Sequence, residues 1–249
     1  MEVTARVRLL RHTGDPERAV ALAAKLCYSA VGIDKLSEKI EKGEVREFLK
    51  RLLEMRHLSP FEHASFTFGV EGISRVTSHQ LVRHRIASYS QQSQRYVKKT
   101  GGLEYVIPPS IAGNGVLKAQ YGRVMAELQD TYRQFAEAGI AAEDARYVLP
   151  NAAETKMVVT MNARELRHFF QQRCCTRAQW EIRKMAELML ERVREVAPTL
   201  FADCGPLCVS GFCPEGDMSC GRVTSKSGKG EKPHARIKAR RSKHPITRE

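Results

Sequence analysis

Residues 2–10 alternate, with Val3, Ala5, Val7 and Leu9 on one side and Glu2, Thr4, Arg6 and Arg8 on the other, the two-residue period of a half-buried strand. Ala64 to Val70 reads as a second strand, with Phe66 and Phe68 on one face, and Met157-Val158-Val159-Thr160-Met161 as a buried one. Elsewhere the spacing is helical. Asp15 and Pro16 fit the N-cap and first position of a helix running to about Tyr28. Val45, Phe48, Leu49 and Leu52 stripe a helix over about 44–55, and Pro60 then puts His57 to His63 in a turn. A helix from Ser74 through Val76, Leu81 and Val82 delivers the chain to Arg83. Leu117, Tyr121, Val124, Leu128, Tyr132 and Phe135 predict the longest amphipathic helix, closed by Gly139, with a stripe that suits core or subunit interface. A short helix carrying Glu143 to Arg146 stops at Leu149-Pro150. Asn162 is a good cap for a helix over 163–174 that carries Arg164, Arg167, His168 and Arg173 and looks functional. The next, over about 177–196 with Trp180, Ile182, Met185, Met189 and Val193, looks structural.

Charge changes this picture by its location. Lys plus Arg at 41 against Asp plus Glu at 28 gives +13, which predicts anionic ligands. Residues 222–249 hold ten Lys/Arg against two Glu, so +8 of the excess lies in a tail with almost no large apolar residue, expected to be disordered. A moderately basic body then needs a local anion site. No apolar run reaches the roughly twenty residues of a membrane span and no signal peptide is evident, so a cytoplasmic location is expected. The seven cysteines, an odd number without a secretory signal, speak against a disulfide framework. Cys204, Cys208, Cys213 and Cys220 could wrap a zinc ion, although they lack the CxxC pair of a strong zinc motif. The other reading of residues 201–221 is a loop of unliganded thiols.

The candidate anion site is Arg83 to Tyr96. It holds three arginines, a histidine, three serines and three glutamines with no acidic residue, and only Ile86 and Ala87 could be core aliphatics. Arginine forks at this density suit phosphate or carboxylate.

Arg83-His84-Arg85, then seven residues, then Ser93 resembles the signature of the flavin-dependent thymidylate synthases. The likeness extends to His57-x-Ser59-Pro60-Phe61-Glu62-His63, to Arg146-x-Val148-Leu149-Pro150, to Asn162-Ala163-Arg164 through Arg173, and to Ala178 through Glu181. It spans about residues 15–200, within a synthase domain over 1–200. The resemblance implies an α+β fold with a central antiparallel sheet, flanking helices and long helices in the C-terminal half. It implies a homotetramer with active sites at subunit junctions, and dTMP made from dUMP with FAD, NADPH and the folate 5,10-methylenetetrahydrofolate. By position, Ser59, Arg83, His84, Arg85, Gln91, Asn162, Ala163, Arg164 and His168 are implied to contact FAD. Gln80, Arg83, Gln91, Gln92, Ser93, Gln94, Arg95, Arg146 and Arg173 are implied to contact dUMP, with Arg173 catalytic beside the uracil. Two positions depart from the pattern: Gln91 stands where an acidic residue is frequent, and His168 where an asparagine is familiar. Cys174 and Cys175 adjoin Arg173, but reduced flavin chemistry needs no enzyme thiol, and a helix cysteine is commonly just buried. The competing readings are a nucleic-acid-binding protein using Arg83 to Tyr96 and the tail, and a zinc-dependent interaction module on the cysteine segment.

Overall fold

The computed structural model describes residues 1–210 and 213–221; the basic tail lies outside the described residues. Among these, four strands form one antiparallel sheet: β1 (Arg6–His12), β2 (Ser65–Ser74), β3 (Ala87–Gln91) and β4 (Glu154–Asn162), in the order β1-β2-β4-β3. One face is apolar. Phe66, Phe68, Val70, Met157, Val159 and Met161 are buried, while Leu10 and Val158 on the other face are partly open to solvent. That is the alternation an antiparallel sheet shows when only one side is covered.

Helices α1 (Pro16–Leu26), α2 (Ile33–Lys42) and α3 (Arg46–Glu54) precede β2, and α4 (Arg75–Leu81) follows it. The short α5 (Pro109–Ala112) leads into the long α6 (Gly115–Glu137) and the single-turn α7 (Ala142–Ala145). Helices α8 (Ala163–Arg173) and α9 (Trp180–Val196) complete the described body. The main core is built from α1, α3, α8, α9 and the covered sheet face, and Leu200, Phe201 and Cys204 belong to it. The cysteine segment is therefore rooted in the body at its first residues.

Local chemistry explains the element ends. Asp15 accepts the Arg18 amide at the start of α1, and Gly139 adopts a left-handed φ of 82° after α6. There Gly139 donates to the Ala136 carbonyl and Ile140 to that of Phe135, the paired bonds of a Schellman stop. Ser74 caps α4 while its amide and hydroxyl both donate, at 2.6 Å, to the buried Glu181 carboxylate of α9. This ties the end of β2 to the start of α9.

Two elements go beyond the sequence expectations: helix α2, and β3, which lies inside the polar stretch. Along the stripe of α6, Tyr132 is buried, Tyr121 and Leu128 pack beside a small second core, and Leu117, Val124 and Phe135 remain exposed, which leaves the subunit-interface alternative open.

Candidate active site

Strand β4 passes into α8 without a loop. Asn162 is both the last strand residue and the helix cap, its side-chain oxygen accepting the Glu165 amide at 2.9 Å. The helical period then sorts the side chains. Leu166, Phe169 and Phe170 enter the core, while Arg164, His168 and Gln172 stand on another face. Arg164 pairs with Glu62 of the 3-10 turn Ser59–His63, and Gln172 lies 2.9 Å from His168. Leu58, Glu62, Ile86, Asn162, Arg164 and His168 line a cleft of about 490 Å³.

The turn between α4 and β3 brings the arginine-histidine-arginine triplet to this cleft's end. Arg83 and Arg85 are exposed, but His84 between them is only 5% exposed. The Tyr89 hydroxyl holds the turn, 2.9 Å from the Leu81 carbonyl and 2.8 Å from that of His84. Arg173 Nε donates to His84 Nε2 at 3.0 Å, and His84 Nδ1 lies 3.4 Å from Glu165 Oε1. Burial, then the neighbouring Arg173 and His168, push the His84 imidazole down to about 4, so it is neutral at pH 7. Burial raises the Glu165 carboxyl, with His168 opposing. From His168 and Gln171 the cleft continues into a second one of about 390 Å³ that includes Arg173 and Cys175.

The residues implied for dUMP are placed differently. Gln91 donates to Thr155 Oγ1 at 3.0 Å, and Gln92 accepts from Lys99 at 3.2 Å. Both line a cleft of about 480 Å³ on the open sheet face, with Arg8, Leu10 and Lys156, which shares no residue with the other two. Ser93 accepts the Arg95 amide at 3.1 Å, Gln94 is half-buried, and Gln80 donates to the Val76 carbonyl at 3.4 Å. Arg95 pairs with Glu143 at 2.7 Å, and Arg146 donates to the Glu143 carbonyl at 3.0 Å. One chain thus unites Arg173 and His84 with Asn162, Ala163, Arg164, His168 and the Ser59 turn, and sets Gln91 and Gln92 on another face.

Arg167 proves structural. It is buried, donates to both Asp203 carboxylate oxygens at 2.8 Å and to the Leu200 carbonyl at 2.6 Å, and lies over the Phe61 ring. Cys204 Sγ accepts from it at 3.3 Å, which draws this cysteine away from the proposed zinc set. Among the described residues no group of three or more His, Cys, Asp or Glu is arranged to hold a metal ion. Burial pushes the Cys174 thiol up to about 12, which makes it a poor nucleophile. Glu165 and Gln171, which line the first cleft, are not among the expected site residues. Glu165 follows a helix cap by three residues, a position that reads as local capping and not as a site.

Residues 8–199 match the family model described as thymidylate synthase complementing protein. The chain is 58% identical over 219 residues to a flavin-dependent thymidylate synthase of Geobacter sulfurreducens, covering 88% of this chain and 94% of that protein. It is 51% identical to the one of Clostridium tetani, with the same coverages, 88% and 94%. Among solved structures it resembles a UMP/dUMP methylase, PolB of Streptomyces cacaoi, bound with 5-Br dUMP. That likeness has a TM-score of 0.69 at 26% identity, over 81% of this chain and 95% of that one.

Proposed function

The chain belongs to the flavin-dependent thymidylate synthases, and from that membership we propose that it converts dUMP to dTMP. The reading takes FAD as cofactor, 5,10-methylenetetrahydrofolate as one-carbon donor and NADPH as reductant. The observation that carries it is the bond from Arg173 to His84, which joins two sequence-distant motifs at the end of one cleft.

The donor set fits a flavin dinucleotide. A pyrophosphate needs several fixed N–H groups, and the cleft offers the Arg164 guanidinium and His168 at the start of an 11-residue helix whose positive end favours anions. Glu62 holds Arg164 in place beforehand. Bound flavin supplies the hydride; orientation and charge come from the protein. Arg173, a permanent cation beside the uracil, stabilises the negative charge that develops when carbon 5 becomes nucleophilic. Its partly buried setting strengthens that effect relative to water. Arg95 and Arg146 have the forks for the dUMP phosphate, with Gln80, Gln91, Gln92, Ser93 and Gln94 beside them. Because Gln91 and Gln92 line a different cleft from Arg173 in one copy, the reading includes sites completed by a second copy in a homotetramer. It also includes a cytoplasmic location, supported by cysteine usage. No helix among the described residues is long and apolar enough to cross a membrane.

The test is anaerobic incubation with NADPH, dUMP and methylenetetrahydrofolate, followed by assay for dTMP. A yellow protein that makes dTMP is expected. Arg173→Ala should lose turnover by roughly 10²–10³-fold while keeping its flavin. A colourless protein that takes up no FAD and yields no dTMP would sink the reading.

A further inference from the structure

We propose that Glu165 is a positioning residue for this reaction: through His84 it fixes the direction in which Arg173 presents its guanidinium. The inference rests on the catalytic assignment of Arg173 made above.

The argument starts from hydrogen-bond polarity. Arginine is donor only, so Arg173 Nε–H at 3.0 Å makes His84 Nε2 an acceptor. A neutral imidazole with an accepting Nε2 carries its proton on Nδ1. That proton needs an acceptor in a buried place, and the Glu165 carboxylate lies 3.4 Å away. The opposite tautomer would set an N–H of the histidine against that of the arginine. Phe169 meets the imidazole edge-on at 4.8 Å, so the ring plane is held as well. With Nε engaged, Arg173 has both terminal amino groups left for a ligand, on a cleft that also contains His168 and Gln172.

Glu165 has an ordinary alternative role that it does not take. It stands three residues after the cap Asn162, where a glutamate usually bonds back to the cap amide. The residue is instead only 6% exposed, with its carboxylate directed at His84. A buried carboxylate is costly unless a polar group lies beside it, and here His84 Nδ1 stands 3.4 Å from it. The charged and titratable groups facing His84 are Glu165, Arg173, His168 and the Tyr89 hydroxyl. Its lowered pKa agrees with an imidazole that stays neutral and accepting at neutral pH.

The test compares the wild-type enzyme with Glu165→Leu, Glu165→Gln and Arg173→Ala in dTMP formation, KM for dUMP, flavin content and thermal melting. Glu165→Leu should lower kcat roughly 10–100-fold while leaving KM and flavin content within about twofold. Glu165→Gln should restore most of the rate, because its amide oxygen can still accept the Nδ1 proton. Normal kcat in Glu165→Leu, with Arg173→Ala inactive, would overturn the proposal. So would a parallel loss of rate, flavin and melting temperature that glutamine does not rescue, which would make Glu165 merely structural. If the wild type makes no dTMP, or Arg173→Ala turns over normally, the assignment beneath the proposal falls, a result separable from the other two.

Discussion

At the scale of single residues, His84 is where the described site departs most from an ordinary polar surface. Its folded pKa is about 4 against an ordinary 6.5. Between those values the unfolded chain binds a proton that the folded chain refuses, so stability is fully present above pH 6.5 and is lost as pH falls toward 4. The shift corresponds to about 3 kcal/mol, partly offset just above pH 4.5 by Glu165, whose raised pKa acts in the opposite sense. Melting temperatures of wild type and His84→Gln across this range test it. The variant should show the shallower pH slope, and equal slopes would place the titration elsewhere. The arginines, serines and glutamines of this stretch stand out as a candidate ligand site from composition alone. The sequence did not make the burial of His84 legible, and it suggested Ile86 for the core where the structure leaves it 68% exposed. The reason is that both partners of His84, Glu165 and Arg173, are distant in sequence and become neighbours only when α8 packs beside the turn.

At the scale of elements, what could be read was what local chemistry decides. Asp15, Asn162 and Gly139 act where they were expected to, because capping and left-handed backbone depend on a few adjacent atoms. Helix α2 was hidden because it buries only Leu36 and Ile40 among charges, and β3 because an edge strand of Ser, Tyr and Gln has no apolar alternation. The bulge in β2 was equally invisible. Gly72 adopts φ of 69° where the β2–β4 register slips between Val70 and Ile73, and its amide donates to buried Glu154. A Cβ there would lie 2.1 Å from the Thr4 carbonyl oxygen. Gly72→Ala should therefore destabilise the fold by roughly 2–4 kcal/mol, from clash and backbone strain together. The denaturant midpoint measures this, and an unchanged midpoint would mean that the approach to β1 moves aside at no cost.

For the whole molecule, the sequence showed that most of the net charge lies in the tail and that the body keeps a smaller, local excess. The structure adds that Arg146, read above as a dUMP contact, has another arginine, Arg75, near it. Burial and the nearby Arg146 both lower the pKa of Arg75. An anion bound among them relieves this repulsion, so dUMP should raise the melting temperature. At a hundred times its dissociation constant the gain is about 2.7 kcal/mol, and it should shrink with added salt. No shift at saturating dUMP would mean that the arginines are not its site. The division of site residues between clefts that share none was not legible either, because sequence order says nothing of which face a strand turns outward. The looplessness of the β4–α8 junction has a mechanical consequence. With Asn162 serving both elements, the angular phase of α8 is set by the sheet register, and eleven helical residues act as a stiff lever of about 16 Å from the sheet to Arg173. There is no slack in that lever, so any adjustment to an arriving ligand falls to the opposing turn and to the ligand itself.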